Sequence, residues 1–192
     1  MITLLLHHLE DKGAVMATVE KALLGGGCFW CIEAVYNRVI GVQSAMSGYA
    51  GGARKNPSYE QICTGATGHA EVVEVTFDSE IISYEDILDI FWEIHNPTTL
   101  NAQGADKGTQ YRSVIYYTSD EQKEKVLKSI AQLQEKLEDT IVTEVSSAPE
   151  FFEAEEYHQN YYNEHPTQGY CYAVIAPKIE KFMKKFGGKV KG

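Results

Sequence analysis

The stretch Val19-Glu-Lys-Ala-Leu-Leu24-Gly-Gly-Gly27-Cys28-Phe-Trp-Cys31-Ile-Glu33-Ala-Val35-Tyr36-Asn-Arg-Val39 decides the reading of the fold. A short apolar run ends in three glycines, and Phe29, Ile32, Val35, Tyr36 and Val39 then recur at three- and four-residue spacings. This is a strand, a glycine turn and a helix from Cys28 to Val39. Downstream, Gly41 stops the helix, Val42 to Met46 reads as a strand, and Gly48 to Pro57 reads as a glycine-rich loop. Ala70 to Phe77 is rich in β-branched residues and sets Val73, Val75 and Phe77 on one face of a further strand. Ser83 opens a helix to about His95 with a capping-box pattern that uses Asp86 in place of glutamate. Tyr111 to Tyr117 and Ile141 to Val145 read as strands flanking a long helix capped by Ser119 and Gln122, with Val126, Ile130, Leu133 and Leu137 as its apolar stripe. Phe151 to Tyr162 is an aromatic-rich helix or loop, and Pro177 to Phe186 is a basic terminal helix. The order β, α, β, β, α, β, α, β predicts an α+β two-layer sandwich with a mixed sheet, helices on one face, and a ferredoxin-like split βαβ core.

Composition narrows the function classes. The chain has 192 residues, 44% of them hydrophobic and 23% charged, which suits one domain with a substantial core. Seventeen basic against 27 acidic residues give a net charge of -10 and argue against a nucleic-acid surface. Met1 to Leu6 is too short to span a membrane and runs into His7, His8, Glu10 and Asp11, so neither a membrane segment nor a signal peptide is expected. Residues 1–16 read as a poorly ordered extension, with Met16 an alternative start, and residues 17–192 as a single domain with a C-terminal tail. Four cysteines (Cys28, Cys31, Cys63, Cys171), two of them in a C-x-x-C, point to reactive thiols in a reducing, cytoplasmic compartment.

Cys28 sits at the first turn of the predicted helix, where unpaired N–H groups and the positive dipole end favour a thiolate. The glycines before it leave the sulfur uncrowded, and Phe29 and Trp30 supply an apolar wall. The plain alternative is a buried helix-start cysteine beside two core aromatics. A dinucleotide fingerprint fails because Trp30 stands where its third glycine belongs. Zinc is disfavoured by the poor spacing of Cys63, His69 and Cys171. A thioredoxin-like C-x-x-C exchange centre and a non-catalytic peptide-binding module remain as competing readings.

Gly27-Cys28-Phe-Trp-Cys31-x-Glu33 resembles the active-site signature of the A-type peptide methionine sulfoxide reductases. Asn56-Pro-Ser-Tyr59-Glu, Thr67-Gly-His-Ala-Glu71, Phe91-Trp-Glu-Ile-His-Asn-Pro97, Asp106-Lys-Gly-Thr-Gln-Tyr111-Arg-Ser113 and Ala154-Glu-Glu-Tyr-His-Gln159 resemble further motifs of that family in the same order. The resemblance covers about residues 19–178. It implies thiol-dependent reduction of methionine S-sulfoxide, free or in proteins, by a monomer without cofactor or metal. In that reading Cys28 attacks the sulfoxide sulfur, while Glu71, Tyr59 and Tyr111 stabilise or protonate its oxygen. Phe29 and Trp30 receive the methyl group and Asp106 binds the methionine backbone. The family acts on the S epimer, in keeping with one reductase type per epimer.

Reduction leaves a sulfenic acid on Cys28, which a second thiol turns into a disulfide for thioredoxin to reduce. The resemblance ranks Cys171 first, on a flexible tail, with Cys31 and then Cys63 as alternative resolving thiols. Read without the motifs, Glu71 is a solvated edge carboxylate, and Tyr59 and Tyr111 are ordinary half-buried aromatics. His158 reads as a hydrogen-bonded core residue, and the lysines from Lys178 to Lys191 as a solvated face.

Overall fold

The computed structural model describes residues 18–191; the extension expected at residues 1–16 lies outside them. In chain order its elements are β1 (Val19–Gly25), α1 (Phe29–Tyr36), β2 (Val42–Ala50), α2 (Tyr59–Cys63), β3 (Ala70–Asp78), α3 (Tyr84–Ile94), β4 (Ala102–Gln103), β5 (Asp106–Lys107), β6 (Val114–Tyr117), α4 (Asp120–Gln134), β7 (Glu144–Ser147), β8 (Phe151–Glu153), α5 (Tyr161–Glu164) and α6 (Ala176–Lys185). Six strands form one sheet in the order β7-β6-β1-β3-β2-β8. β3 is antiparallel to both β1 and β2, which makes β1 and β2 parallel with β3 slotted between them and α1 crossing over. That is the split βαβ core. The parallel pair β6 and β7, joined through α4, makes the sheet mixed.

Period-two alternation decides which face each strand buries. Ala22 and Leu24 of β1 and Val73, Val75 and Phe77 of β3 enter the large core under the helices, with Ile32 and Val35 of α1 and Ile87, Ile90 and Phe91 of α3. Leu23, Val72, Val114 and Tyr116 turn to a smaller cluster on the opposite face. At the start of α3 the Ser83 hydroxyl accepts from the Asp86 amide at 3.1 Å while the Asp86 carboxylate accepts from the Ser83 amide, so aspartate completes the reciprocal cap.

The structure moves several expected boundaries. α1 ends at Tyr36, and a turn carries the chain on to Val39. β2 runs through Gly48 to Ala50 because a Cβ at Gly48 would lie 2.3 Å from the Phe151 ring; the glycine admits the edge strand β8. Tyr111 lies in a 3-10 turn, Thr109–Tyr111, and its strand begins only at Val114. The Ile141–Val145 strand falls at Glu144–Ser147, in register with β6. The basic C-terminal helix is pinned as well as solvated: Glu93 of α3 pairs with Lys181 at 2.8 Å and with Lys185, and Asp86 pairs with Lys189.

Candidate active site

β1 delivers the chain to the N-terminus of α1 through the glycine turn, and close packing there requires glycine. Gly27 has φ +92°, a left-handed conformation, and a Cβ on it would lie 2.7 Å from the Gln103 side chain. Cys28 is the N-cap residue of α1, with ψ 124°, and its side chain makes no capping bond. The cap comes from β3 instead: the Phe29 amide donates to Glu71 Oε2 at 3.1 Å. Glu71 is paired with Tyr49 across the sheet and shares the inward face of β3 with Val73, Val75 and Phe77, so its carboxyl points under the helix start.

A cavity of about 190 Å³ opens at this point, lined by Cys28, Phe29, Trp30, Tyr59, Glu71, Asp106, Tyr111 and Tyr170. Seven of these are the nucleophile, oxygen-side and substrate-side residues expected from the sequence. Burial pushes the Glu71 carboxyl up to about 8 against the pull of the Phe29 amide, with the Asp106 and Cys31 charges adding to the rise. Because Oε2 is occupied by that amide, Oε1 is the oxygen left to carry a proton. Tyr59 and Tyr111 are held above the ordinary phenol value, chiefly by burial and then by the Glu71 charge, so both remain O–H donors.

Cys28 differs from expectation. Its thiol is pushed up, not down, because burial dominates, and its hydrogen bond to Cys31 and the negative charge of Glu71 act in the same direction. One N–H of the first turn, that of Trp30, points at the sulfur and opposes this weakly; the neighbouring Phe29 amide is already spent on Glu71. The lowered thiol of the pair is Cys31, at about 7.

The remaining cysteines sit apart from the cavity lining. Cys31 lies behind Cys28 on α1 and is buried. Cys171 is not on a flexible tail: it is fully buried, starts a π-helical turn (Cys171–Ile175) that leads into α6, and packs against α1. The π turn and α6 supply that anchorage, since Ile175, Ile179 and Phe182 all enter the main core. Cys63 is exposed at the end of α2. All four cysteines are free thiols, and among the described residues no cluster of histidine, cysteine, aspartate or glutamate could hold a metal.

Sequence reasoning missed three contributors. Tyr170, the residue before Cys171, donates its hydroxyl to Asp106 Oδ2 at 2.6 Å and lies 4.0 Å from the Cys31 sulfur. Its place in Gln168-Gly-Tyr-Cys171 was the available signal. Tyr161 stacks on Trp30 at 3.8 Å between centroids and 5° between planes, while His158 Nδ1 accepts from the Trp30 indole at 3.2 Å. His158 is thus the buried, hydrogen-bonded residue that its aromatic surroundings suggested. Glu33 is the third: 2% exposed on α1, it accepts from the Asn160 amide at 2.8 Å and so ties the Tyr161 segment to the helix that carries Trp30. Burial raises its carboxyl to about 7.

Raised carboxyls make stability depend on pH with a definite sign. Glu33 and Glu71 prefer their protons in the folded state, whereas in the unfolded chain they ionise near the ordinary value of ~4.3. Their stabilisation is complete below that value and is lost as pH rises through about 7 for Glu33 and about 8 for Glu71. Stability to urea should therefore fall from pH 6 to pH 9, by at most about 1.4 kcal/mol for Glu33. Glu33→Gln should flatten the lower part of that fall; a midpoint that rises with pH would contradict the assignment.

Residues 20–190 match the family described as peptide methionine sulfoxide reductase. A relative from Polynucleobacter asymbioticus, named peptide methionine sulfoxide reductase MsrA, is 56% identical over 183 residues, covering 94% of this chain and 95% of its own. Mxr1 of Saccharomyces cerevisiae in reduced form superposes with a TM-score of 0.74 at 35% identity over 80% of this chain and 89% of its own. The same yeast protein in complex with Trx2 gives 0.53 at 25% identity, over 72% and 82%. With family, fold and high-identity relatives in agreement, the chain belongs to the peptide methionine sulfoxide reductase family and is an oxidoreductase of the MsrA type.

Proposed function

We propose that this chain reduces the S epimer of methionine sulfoxide, free or in proteins, with Cys28 as the nucleophile. The observation that carries the reading is the convergence of the Cys28 thiol, the raised Glu71 carboxyl and the Tyr59 and Tyr111 hydroxyls on one cavity walled by Phe29 and Trp30. The substrate methyl group enters against the two aromatic rings, and the sulfoxide oxygen meets Glu71 and the phenols. The Cys28 sulfur, once its thiol proton has passed to water, attacks the sulfoxide sulfur; the oxygen passes to Cys28 with the Glu71 proton, leaving methionine, a Cys28 sulfenic acid and a Glu71 carboxylate. Asp106, fixed by the Tyr170 hydroxyl, lies where it can accept from the substrate backbone amide.

The sulfenic acid then condenses with a second thiol, releasing water, and a dithiol protein reduces the resulting disulfide. Thioredoxin is the proposed reductant, a reading supported by the yeast neighbour's complex with Trx2. The proposal extends to a monomer working without cofactor in a reducing cytoplasm. No helix among the described residues is long and apolar enough to cross a membrane.

Epimer discrimination tests the reading. Only one epimer can put its oxygen on the donors while its methyl fills the aromatic wall. With dithiothreitol as reductant, the S form of a blocked methionine sulfoxide should be consumed at least about 100-fold faster than the R form. Equal consumption, or preference for R, would refute the assignment of the two walls. The competing C-x-x-C exchange reading predicts disulfide exchange with no sulfoxide consumed.

A further inference from the structure

Glu155 lies outside the cavity lining, yet it bonds to two elements on the oxygen side. Its Oε1 accepts from the Tyr59 amide and its Oε2 from the Tyr49 hydroxyl, each at 2.8 Å. Against the upward push of partial burial, the Tyr59 amide, the residue's own amide and the Tyr49 hydroxyl hold the carboxyl below its ordinary value, so both bonds are made by an anion. The segment that carries Glu155 is fixed to β2 at both ends. The Ala154 amide donates to the Ser47 carbonyl at 3.0 Å, and the Gln159 side chain accepts from the Ser47 amide at 3.0 Å and donates to its carbonyl at 2.9 Å. Tyr59 needs such an anchor. It opens α2, a helix of five residues whose one buried side chain is Ile62, and the loop before it is exposed from Ala53 to Asn56. Its amide is one of the first-turn N–H groups that no helical carbonyl reaches. Tyr49, the other partner, stands opposite Glu71 in the β2–β3 register, and its ring centroid lies 5.8 Å from that of Phe29. One carboxylate therefore joins the backbone of the phenol to the strand residue paired with the acid.

We propose that Glu155 is a positioning residue for the reaction: by bridging Tyr49 and Tyr59 it holds the Tyr59 phenol at the same sulfoxide oxygen that Glu71 protonates. The inference rests on the reading of Tyr59 and Glu71 as oxygen-side donors. Because Glu155 does not line the cavity, its effect passes through Tyr59. A donor stabilises developing charge only over a narrow range of distance, and a misplacement of about 1 Å at a reacting centre can cost on the order of 100-fold in rate. The methyl and backbone sides of the cavity have anchors of their own. Trp30 is held by the His158 ring nitrogen and the Tyr161 stack, and Asp106 by the Tyr170 hydroxyl. Loss of Glu155 is therefore expected to slow the oxygen transfer and to leave substrate binding nearly as it was.

The test is the single-turnover methionine burst of the full chain from methionine S-sulfoxide without reductant, measured across substrate concentrations. All variants carry Tyr111→Phe, so that the second oxygen-side phenol does not cover for Tyr59. Glu155→Met removes both acceptors at similar volume and should lower the saturating burst rate about tenfold, with the half-saturating concentration within about twofold. Glu155→Asp keeps the charge but not the reach; it should slow the burst at least about threefold and serves if the Met variant does not fold. Glu155→Gln keeps an acceptor for the Tyr59 amide and should restore the rate to within about twofold. Once Tyr59→Phe is added, neither Glu155→Met nor Glu155→Asp should slow the burst further, because residues that act through one another are not additive. A burst slowed by the same factor with and without Tyr59→Phe, or a full rate in folded Glu155→Met, would overturn the proposal. An absent burst in the unmodified chain would instead strike the reductase reading beneath it, and a burst unchanged by Tyr59→Phe would strike the donor role of Tyr59 and the proposal with it.

Discussion

Cys28→Ser is expected to abolish methionine formation, by on the order of 10⁴-fold or more, with the fold retained. The cavity would keep its aromatic wall and its donors, and a serine hydroxyl at the N-cap of α1 is tolerated at least as well as a thiol. What is lost is the sulfur that accepts oxygen: an alcohol near its ordinary pKa is a poor nucleophile and cannot form a sulfenic acid. Activity in dithiothreitol is the appropriate measurement because a small dithiol reduces oxidised Cys28 without needing a second protein thiol. Substantial turnover by the folded variant would remove Cys28 from the reaction.

Glu71→Gln is expected to lower the methionine burst by about 10²–10⁴-fold. Glutamine keeps an acceptor for the Phe29 amide, so the helix cap and the position of Cys28 should survive. The proton for the sulfoxide oxygen does not. In wild type the burst should fall as pH rises through about 8, where Glu71 loses its proton. In Glu71→Gln that descending limb should vanish from the residual rate. A limb that persists would assign it to another group, and a full rate in the variant would reduce Glu71 to a helix cap.

Much of this arrangement was legible in the sequence. The glycine turn and the spacing of Phe29, Ile32 and Val35 gave β1 and α1, and Val73, Val75 and Phe77 gave the inward face of β3. The same alternation carried more than was taken from it: Glu71 is in phase with those three residues, so it had to be inward, and a carboxylate in that phase is a buried acid, not a solvated edge. Boundaries failed where glycine has a packing role instead of a turn role. Gly48 looked like the start of a loop but lies within β2, where it admits Phe151.

Partners distant in sequence were the least legible. Glu71 caps α1 across 42 positions, Asp106 meets Tyr170 across 64, and Trp30 meets His158 across 128. No local periodicity encodes such pairs. The expectation of a thiolate at Cys28 failed for a related reason. Helix position alone favours the anion, but the outcome is set by burial and by two anionic neighbours, one of them from another strand. Likewise, Cys171 follows Gly169 and a run of polar residues that read as a tail, while Ile175, Ile179 and Phe182 beyond it anchor the segment in the core.

The central claim is that oxygen moves from the sulfoxide to Cys28. It is tested most directly by one turnover of the Cys31→Ser, Cys171→Ser double variant with the S epimer and a sulfenic-acid-trapping dione, followed by peptide mapping. The account predicts about one methionine per chain and the trapped adduct on Cys28. Methionine formed while Cys28 remains an unmodified thiol would contradict it.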